Sequence, residues 1–229
     1  MKTSIAVILS VVACPVFSGG MGDVSSETNS TYVAVSGGYY GANYRSNYTS
    51  YDSGILSTQQ SFNDTNTNGY GQLGLGASAQ LGSLAFDHQI SIAKLGGADK
   101  FAVGSSNWSH SQNVDFGYDF MPKLNLIQKI SAYGILGAHY ARFTNKSIPY
   151  ASSTGLTEFN NYNDQIGFSL GAGLNYQVKS NIVVGIKYQH LQYQSFQING
   201  ANPALTSIDI QQIAPSYNLV GAELRYYIN

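Results

Sequence analysis

Residues 166–178, IGFSLGAGLNYQV, place an apolar side chain at every second position and a small or polar one between. The apolar set runs Ile166, Phe168, Leu170, Ala172, Leu174, Tyr176 and Val178. A period of two indicates a β-strand with two unlike faces. The apolar face must be covered by a protein core or by lipid, and the composition of the other face decides between them.

The same alternation recurs along the chain. It predicts strands at about 31–43, 68–81, 84–95, 112–121, 129–143, 164–178, 182–193 and 216–228. No helix-period run of useful length competes with it beyond the N-terminus. The faces of the first and fifth strands are not decided, since either face of YGILGAHYARF (133–143) could be the apolar one.

The polar faces are built largely from glycine, serine, asparagine and glutamine, and only 10% of the residues are charged, against roughly 25% in a usual soluble domain. Glycine on a water-facing strand weakens it, whereas small residues suit the narrow interior of a barrel of about eight strands. The apolar face therefore points outward into lipid. The barrel must be closed, because open sheet edges cannot be hydrogen-bonded inside lipid. A soluble periplasmic or secreted barrel is the alternative.

The N-terminus has the features of an export signal. Lys2 precedes an apolar stretch at 5–17 that is too short to span a membrane, and cleavage is expected after Ser18. The expected organisation is a signal peptide (1–18), a short periplasmic segment (19–30) and an outer-membrane barrel domain (31–229). Cys14 is the sole cysteine and excludes an internal disulfide; its surroundings also resemble a lipoprotein box, which is an alternative use of this residue.

The predicted connections alternate in length. Those near 82–83, 122–128 and 179–181 are short, and those near 44–67, 96–111, 144–163 and 194–215 are long. Short periplasmic turns and long extracellular loops are typical of an even-stranded outer-membrane barrel. Aromatic residues expected at the two lipid interfaces are Tyr70, Tyr118, Phe120, Tyr140, Tyr176, Tyr188 and Tyr226.

The signal, the eight alternating segments and the C-terminal strand VGAELRYYIN resemble the small outer-membrane barrels of OmpA/OmpX type, and most of all the opacity-protein or surface-antigen group. The spacing of Gly221, Leu224, Tyr226 and Ile228 is similar to the terminal signal read by the barrel-assembly machinery, although Asn229 replaces the usual terminal phenylalanine. The resemblance implies a structural or surface-exposed role, as an adhesin or surface antigen, with outer-membrane lipid and the assembly machinery as partners.

Few charges are expected on the inner face. They are Asp87, Asp115, Asp119, Lys187, Glu223 and Arg225. Buried charges must be paired or hydrated, so these residues are interpreted as a structural network in the lumen. The alternative is a narrow porin-like channel for ions or small solutes, in which the excess of acids over bases would favour cations.

No pattern indicates catalysis, a cofactor or a metal site, and the protein is expected not to be an enzyme. His88, His110, His139 and His190 have no metal-ligand spacing and are interpreted as packing or interfacial residues. A lipid-modifying enzyme is a weaker alternative, for which Ser109-His110-Ser111 would supply a nucleophile and a base. The net charge of −1 does not suggest nucleic-acid binding.

The long polar loops are the expected place for recognition, because a rigid barrel would hold them outside the cell. Loop aromatics able to anchor a host-cell or matrix partner are Tyr44, Tyr48, Tyr51, Trp108, Tyr150 and Phe159.

Overall fold

The structure, a computed structural model, describes residues 29–52, 55–97, 99–103, 106–149, 159–202 and 207–228. The predicted signal peptide, Cys14, Tyr150, Asn229 and nearly all of the predicted periplasmic segment lie outside the described residues. In the part of the chain that is described, no helix is long and apolar enough to cross a membrane.

Ten β-strands account for most of the described residues. The first five are β1 (Asn29–Asp52), β2 (Ile55–Leu81), β3 (Leu84–Leu95), β4 (Asp99–Val103) and β5 (Ser106–Ile127). The remaining five are β6 (Ile130–Pro149), β7 (Phe159–Lys179), β8 (Ile182–Tyr193), β9 (Phe196–Asn202) and β10 (Ser207–Ile228).

The strands form one antiparallel sheet that closes on itself, because β1 pairs with both β2 and β10. β3 and β4 both pair with β5, and β8 and β9 both pair with β10, so each couple is one interrupted strand. The described residues therefore give eight strand positions around the ring, which confirms the predicted barrel.

The stagger of the ring follows from its pairing. When paired residues are followed once around the ring from Val33, the path comes back to β1 at Asn43. The stagger is therefore ten residues. Eight strands with this stagger tilt by about 40° and enclose a lumen that side chains can fill.

Tight turns join the strands at one end of the barrel, which is also the end where β1 begins and β10 finishes. The predicted turn at 82–83 is confirmed, and the one predicted at 179–181 is found at 180–181. The turn predicted at 122–128 was misplaced: β5 continues through Ile127, and the turn occupies 128–129. This is the periplasmic end of the barrel.

The predicted long loops at 44–67, 96–111, 144–163 and 194–215 are mostly strand, so this part of the prediction was wrong. β1 and β2 stay paired as far as Asp52 and Ile55, although about 9–11 residues suffice to cross a membrane. In these extensions the outer face carries polar side chains that meet water, so the apolar alternation disappears while backbone pairing continues, although Tyr44 and Ile213 on the inner face are buried. Periodicity therefore cannot distinguish these strand extensions from loops.

The apolar faces point outward, as the composition predicted. Leu73 and Phe168 are 56% and 67% exposed, whereas their neighbours Gln72 and Ser169 are buried in the lumen. The outward apolar side chains form a belt that runs from Tyr176 and Tyr226 at the periplasmic side up to the level of Tyr140.

Above the apolar belt, the ring opens along two seams. The Gly96 amide donates to the Gly69 carbonyl at 2.8 Å, and Gly97 then adopts φ +85°. From there, among the described residues, β4 pairs only with β5 and β2 only with β1. Similarly, β9 pairs with β10 but not with β7. In the described residues the external part thus consists of two four-stranded sheets, β2–β1–β10–β9 and β4–β5–β6–β7.

Candidate functional site in the lumen and at the external strand ends

The periplasmic half of the lumen holds a charge cluster centred on Arg225, which is 1% exposed. Its guanidinium donates to the carboxylates of Glu223 on the same strand and of Asp87 on β3, the latter at 2.6 Å. Lys123 lies 3.2 Å from Asp87, and Lys187 lies 3.4 Å from Glu223. Two acids and three bases from four strands thus form ion pairs, as buried charges require, with one basic group in excess.

Two tyrosine rings enclose Arg225. Its guanidinium carbon is 5.1 Å from the ring centre of Tyr32 and 5.0 Å from that of Tyr133, within the range of cation–π attraction. Each ring lies over a glycine of the adjacent strand: a Cβ atom on Gly76 would overlap the Tyr32 ring, and one on Gly173 would overlap the Tyr133 ring. The inward glycines therefore provide space for the rings that hold the arginine.

Replacing Gly76 with valine should displace Tyr32 and lower the free energy of unfolding by about 1–3 kcal/mol, the usual cost of overpacking. Gly71, on the outer face of the same strand, is the matched control, because a Cβ atom added there would have no neighbour within 4 Å. Urea unfolding of the two valine variants in detergent micelles, followed by circular dichroism, measures the difference. Equal stability of both variants would contradict this account of the glycine.

A second network lies further along the lumen and is centred on His139. Its Nδ1 is 2.8 Å from Asp115 and its Nε2 is 3.2 Å from Asp119. Ser169 and Gln189 also donate to Asp119, at 2.9 and 3.1 Å, and the Tyr193 hydroxyl donates to Asp115. Both imidazole nitrogens face carboxylates, an arrangement that suits the doubly donating imidazolium form.

The structure places all six predicted lumen charges inside the barrel and divides them between these two networks. Asp87, Lys187, Glu223 and Arg225 belong to the first, and Asp115 and Asp119 to the second. Two members of these networks were not predicted: Lys123, which lies in a stretch expected to be a turn, and His139, whose strand had no decided face. A carboxylate pair on one strand face, such as Asp115 and Asp119, is a signal that a cationic partner is needed.

Aromatic side chains fill the lumen beyond His139. The hydroxyls of Tyr44 and Tyr217 are 2.8 Å apart, and the rings of Tyr193 and Phe143 pack edge to face with centres 5.3 Å apart. Tyr44 was predicted to be a loop aromatic, but it lies in β1 and is buried, so that part of the prediction was wrong. Contacts across the lumen therefore occur at three levels: the arginine cluster, the histidine network and this aromatic layer.

The predicted Ser109-His110-Ser111 group does not form a serine–histidine pair. His110 is buried, with Nδ1 against Asn145 and its ring near Tyr44. Strand alternation sends the side chains of Ser109 and Ser111 to the opposite face. Among the described residues, no group of three or more His, Cys, Asp or Glu side chains could hold a metal.

The outer surface carries the features of a lipid-facing wall. Six of the seven aromatics predicted for the lipid interfaces are on outward-facing positions; Tyr70 is the exception, because it is buried in the lumen with its hydroxyl against Gly221. Beyond the apolar belt, Arg142 and Asp164 form an exposed two-point ion pair with N–O distances of 2.7 and 3.0 Å. Polar groups thus return at the external edge of the belt.

The predicted assembly residues lie on β10, which closes the ring between β8 and β1. Leu224, Tyr226 and Ile228 face outward and are about half exposed, whereas Gly221 faces inward, below Tyr70. Their positions match a closing strand with a lipid-facing apolar row. Recognition by the assembly machinery stays a prediction.

A closed eight-position ring with an apolar exterior, a polar interior and short turns at one end defines a small outer-membrane β-barrel. The chain belongs to the family of the OmpA-like transmembrane domain, whose model matches residues 16–226. The protein is therefore a protein of the bacterial outer membrane.

Solved structures agree with this fold. A major outer membrane protein from Thermus thermophilus matches 88% of this chain and 100% of its own, with 12% identity and a TM-score of 0.54. The outer membrane protein OprG from Pseudomonas aeruginosa matches 89% of this chain and 99% of its own, with 12% identity and a TM-score of 0.51. No curated protein sequence matches the chain. At these identities the likeness concerns the fold alone.

Proposed function

We propose that this barrel is a surface-exposed binding protein, of adhesin or surface-antigen type, whose external strand extensions contact a host-cell or matrix partner. One observation carries the proposal: β1 has 24 residues and β2 has 27, more than twice the number that a bilayer requires. At about 3.3 Å per residue, the additional residues extend the β1–β2 hairpin well beyond the lipid.

Two further features support recognition outside the cell. The external hairpin is held by regular pairing from Asn43 to Ser50, and pairing resumes after a register shift at Tyr51 and Asp52, so it can present a surface without a large entropy loss on binding. Ile55 and Leu56 are exposed beside its tip, at 73% and 54%. Apolar side chains at the end of a polar hairpin are suited to contact with a partner.

The arrangement of the lumen favours this function over the narrow channel. Arg225 reaches Met121 on the opposite side of the ring, with 3.4 Å between Nη2 and the sulfur, and Lys187 reaches Gln72 three strand positions away. Permeating ions would have to displace these cross-lumen contacts. The absence of enzymatic activity remains a prediction.

Shortening the β1–β2 hairpin tests the proposal. Ser46 and Phe62 are paired, so replacing residues 47–61 with Asn-Gly should give a shorter hairpin on an intact barrel. We expect at least tenfold fewer bacteria to adhere to cultured epithelial cells and to a basement-membrane coating when a non-adherent strain displays this variant instead of the natural chain.

The matched variant shortens the β6–β7 hairpin, which belongs to the other external sheet. Lys146 and Asn160 are paired, so residues 147–159 can be replaced in the same way, and heat-modifiable migration on gels checks that both variants fold. Unchanged adhesion with both hairpins shortened would refute the proposal. A steady conductance of the natural chain in planar bilayers would favour the channel instead.

A further inference from the structure

We propose that the outer wall of the barrel binds a hydroxyacylated lipid of the outer leaflet, at His190, Asn218 and an adjoining groove on β6, β7 and β8. One acyl chain lies in the groove, and the hydroxyl and carbonyl groups of that chain contact the two polar side chains. Lipid A is the abundant lipid of this chemistry in a bacterial outer membrane. The site is independent of the proposed surface-binding function.

Three polar side chains on β8 and β10 form an outer polar cluster on the wall of the barrel. The side-chain oxygen of Asn218 accepts from the Tyr188 hydroxyl at 2.7 Å and contacts Nδ1 of His190 at 2.8 Å. Tyr188 and Asn218 are exposed and His190 is half-buried, because the positions between them on each strand face the lumen. The cluster therefore meets lipid rather than the lumen.

The outer polar cluster lies within the apolar belt, below its external edge. Leu170 on β7 pairs with His190, and Ile166, four residues further out on β7, pairs with Tyr140 at that edge. The stagger of the ring raises the paired position by about 1.25 residues at each step from β6 to β7 and from β7 to β8. His190 consequently lies about 1.5 residues below Tyr140.

Two atoms of the cluster have no partner in the described part of the chain. The Asn218 oxygen uses both lone pairs on Tyr188 and His190, so its side-chain NH₂ group is left over. Since Nδ1 of His190 donates to that oxygen, Nε2 of the neutral imidazole is an unused acceptor. Polar atoms without partners are costly in hydrocarbon, so a polar group of a lipid is expected to contact them.

The neighbouring Gln192 shows the contrast. Its side-chain amide donates to the Tyr193 and Pro215 carbonyls at 3.0 and 3.2 Å, so the protein itself satisfies these hydrogens. On the other side of the cluster Asn218 pairs with Gly41, where an added Cβ atom would have no neighbour within 4 Å. The unpaired amide of Asn218 therefore has open space beside it.

An apolar groove adjoins the outer polar cluster on the β7 side. It has a volume of about 390 Å³ and is lined by the apolar side chains of Leu136, Phe168 and Leu170, with His190 and Gln192 also in its wall. Leu136, Leu170 and His190 pair in one row across three strands, and the stagger places Leu136 lowest in that row. The groove thus descends from the polar cluster toward the middle of the belt, as an acyl chain of an outer-leaflet lipid does.

The two unpaired atoms discriminate between lipids. The Asn218 amide requires an acceptor and Nε2 of His190 requires a donor. An acyl chain with a hydroxyl close to its ester or amide carbonyl supplies both, whereas the acyl ester of a glycerophospholipid supplies acceptors alone and would leave Nε2 unpaired. This difference favours a hydroxyacylated lipid.

The test uses the full barrel in nanodiscs of phosphatidylethanolamine and phosphatidylglycerol, with bound lipid counted by native mass spectrometry. The probes are two synthetic lipid A molecules, one with hydroxyacyl chains and one with the same chains lacking the free hydroxyls. We expect the natural chain to bind the hydroxylated probe about tenfold more tightly, within the range for one hydrogen bond.

His190→Leu removes the acceptor and should abolish this preference, so that the two probes bind alike. The matched control is His88→Leu, which removes another outward histidine of the belt, one that contacts the Tyr118 hydroxyl at 2.6 Å. This control should keep the preference of the natural chain.

The comparison of the two probes on the natural chain needs no variant and therefore decides even if His190→Leu does not fold, as judged by heat-modifiable migration. In that case Asn218→Leu replaces it and should weaken the binding of both probes. The proposal is overturned if the natural chain binds both probes equally, or if the variant used behaves like His88→Leu. Displacement of the hydroxylated probe by phosphatidylglycerol as effectively as by lipid A would identify a glycerophospholipid as the occupant and likewise overturn it.

Discussion

Replacing Arg225 with methionine should lower the free energy of unfolding by about 3–5 kcal/mol, the usual cost of removing one partner of a buried ion pair. Methionine would fill much of the volume but leave Glu223 and Asp87, which are 4% and 0% exposed, without their shared guanidinium. Urea unfolding in detergent micelles, followed by circular dichroism, measures the loss.

Two variants distinguish lost charge pairing from lost packing. Lys123→Met removes the other cation of Asp87, but this lysine side chain is 12% exposed and its removal leaves Arg225 in place, so the loss should be clearly smaller. Adding Glu223→Gln to Arg225→Met removes a carboxylate that has lost its guanidinium partner and keeps only Lys187, 3.4 Å away, and should restore part of the stability. The interpretation fails if Lys123→Met is as damaging as Arg225→Met, or if the second substitution lowers stability further.

Replacing Leu224 with arginine should destabilise the barrel in lipid by about 2–4 kcal/mol, the cost of a basic residue at the bilayer midplane on the lipid face of a barrel. Leu224 is the middle member of the outward apolar row from Val220 to Ile228 on β10, and it is 48% exposed. Unlike Arg225 beside it in the chain, it has no acidic partner on its face of the strand. Equilibrium unfolding from lipid bilayers measures the effect.

The matched control is Val178→Arg. Val178 is also outward-facing and 47% exposed, but it lies beside the periplasmic turn at 180–181, where an arginine reaches the interface and should cost only about 0–1 kcal/mol. The same cost at both positions would mean that Leu224 is not deep in the lipid.

Much of this barrel could be predicted from alternation and composition. The pattern at 166–178 has one consistent physical interpretation, because lipid requires an unbroken apolar row and a narrow lumen requires small residues. The same reasoning placed Asp87, Asp115, Asp119, Lys187, Glu223 and Arg225 inside. Strand pairing beyond the lipid was not predictable, since polar extensions in water have no periodic signal.

The face of β6 illustrates the limit most clearly. Its inward row contains Tyr133, Ile135 and Phe143 as well as His139, so hydrophobicity does not separate its two faces. The ambiguity arises because this lumen packs large aromatic rings against glycines of neighbouring strands, a pairing between segments distant in sequence.

An outward apolar wall is a local property of each strand, and the order of residues is enough to establish it. Which charge meets which across the lumen depends on the ring's closure and ten-residue stagger, through which Arg225 on the last strand reaches Asp87 on the third. The two external seams also depend on the tertiary structure. At Gly97 the chain turns β4 away from β2, and at the break at 194–195 it turns β9 away from β7. These features depend on distances between strands, and only the tertiary structure decided them.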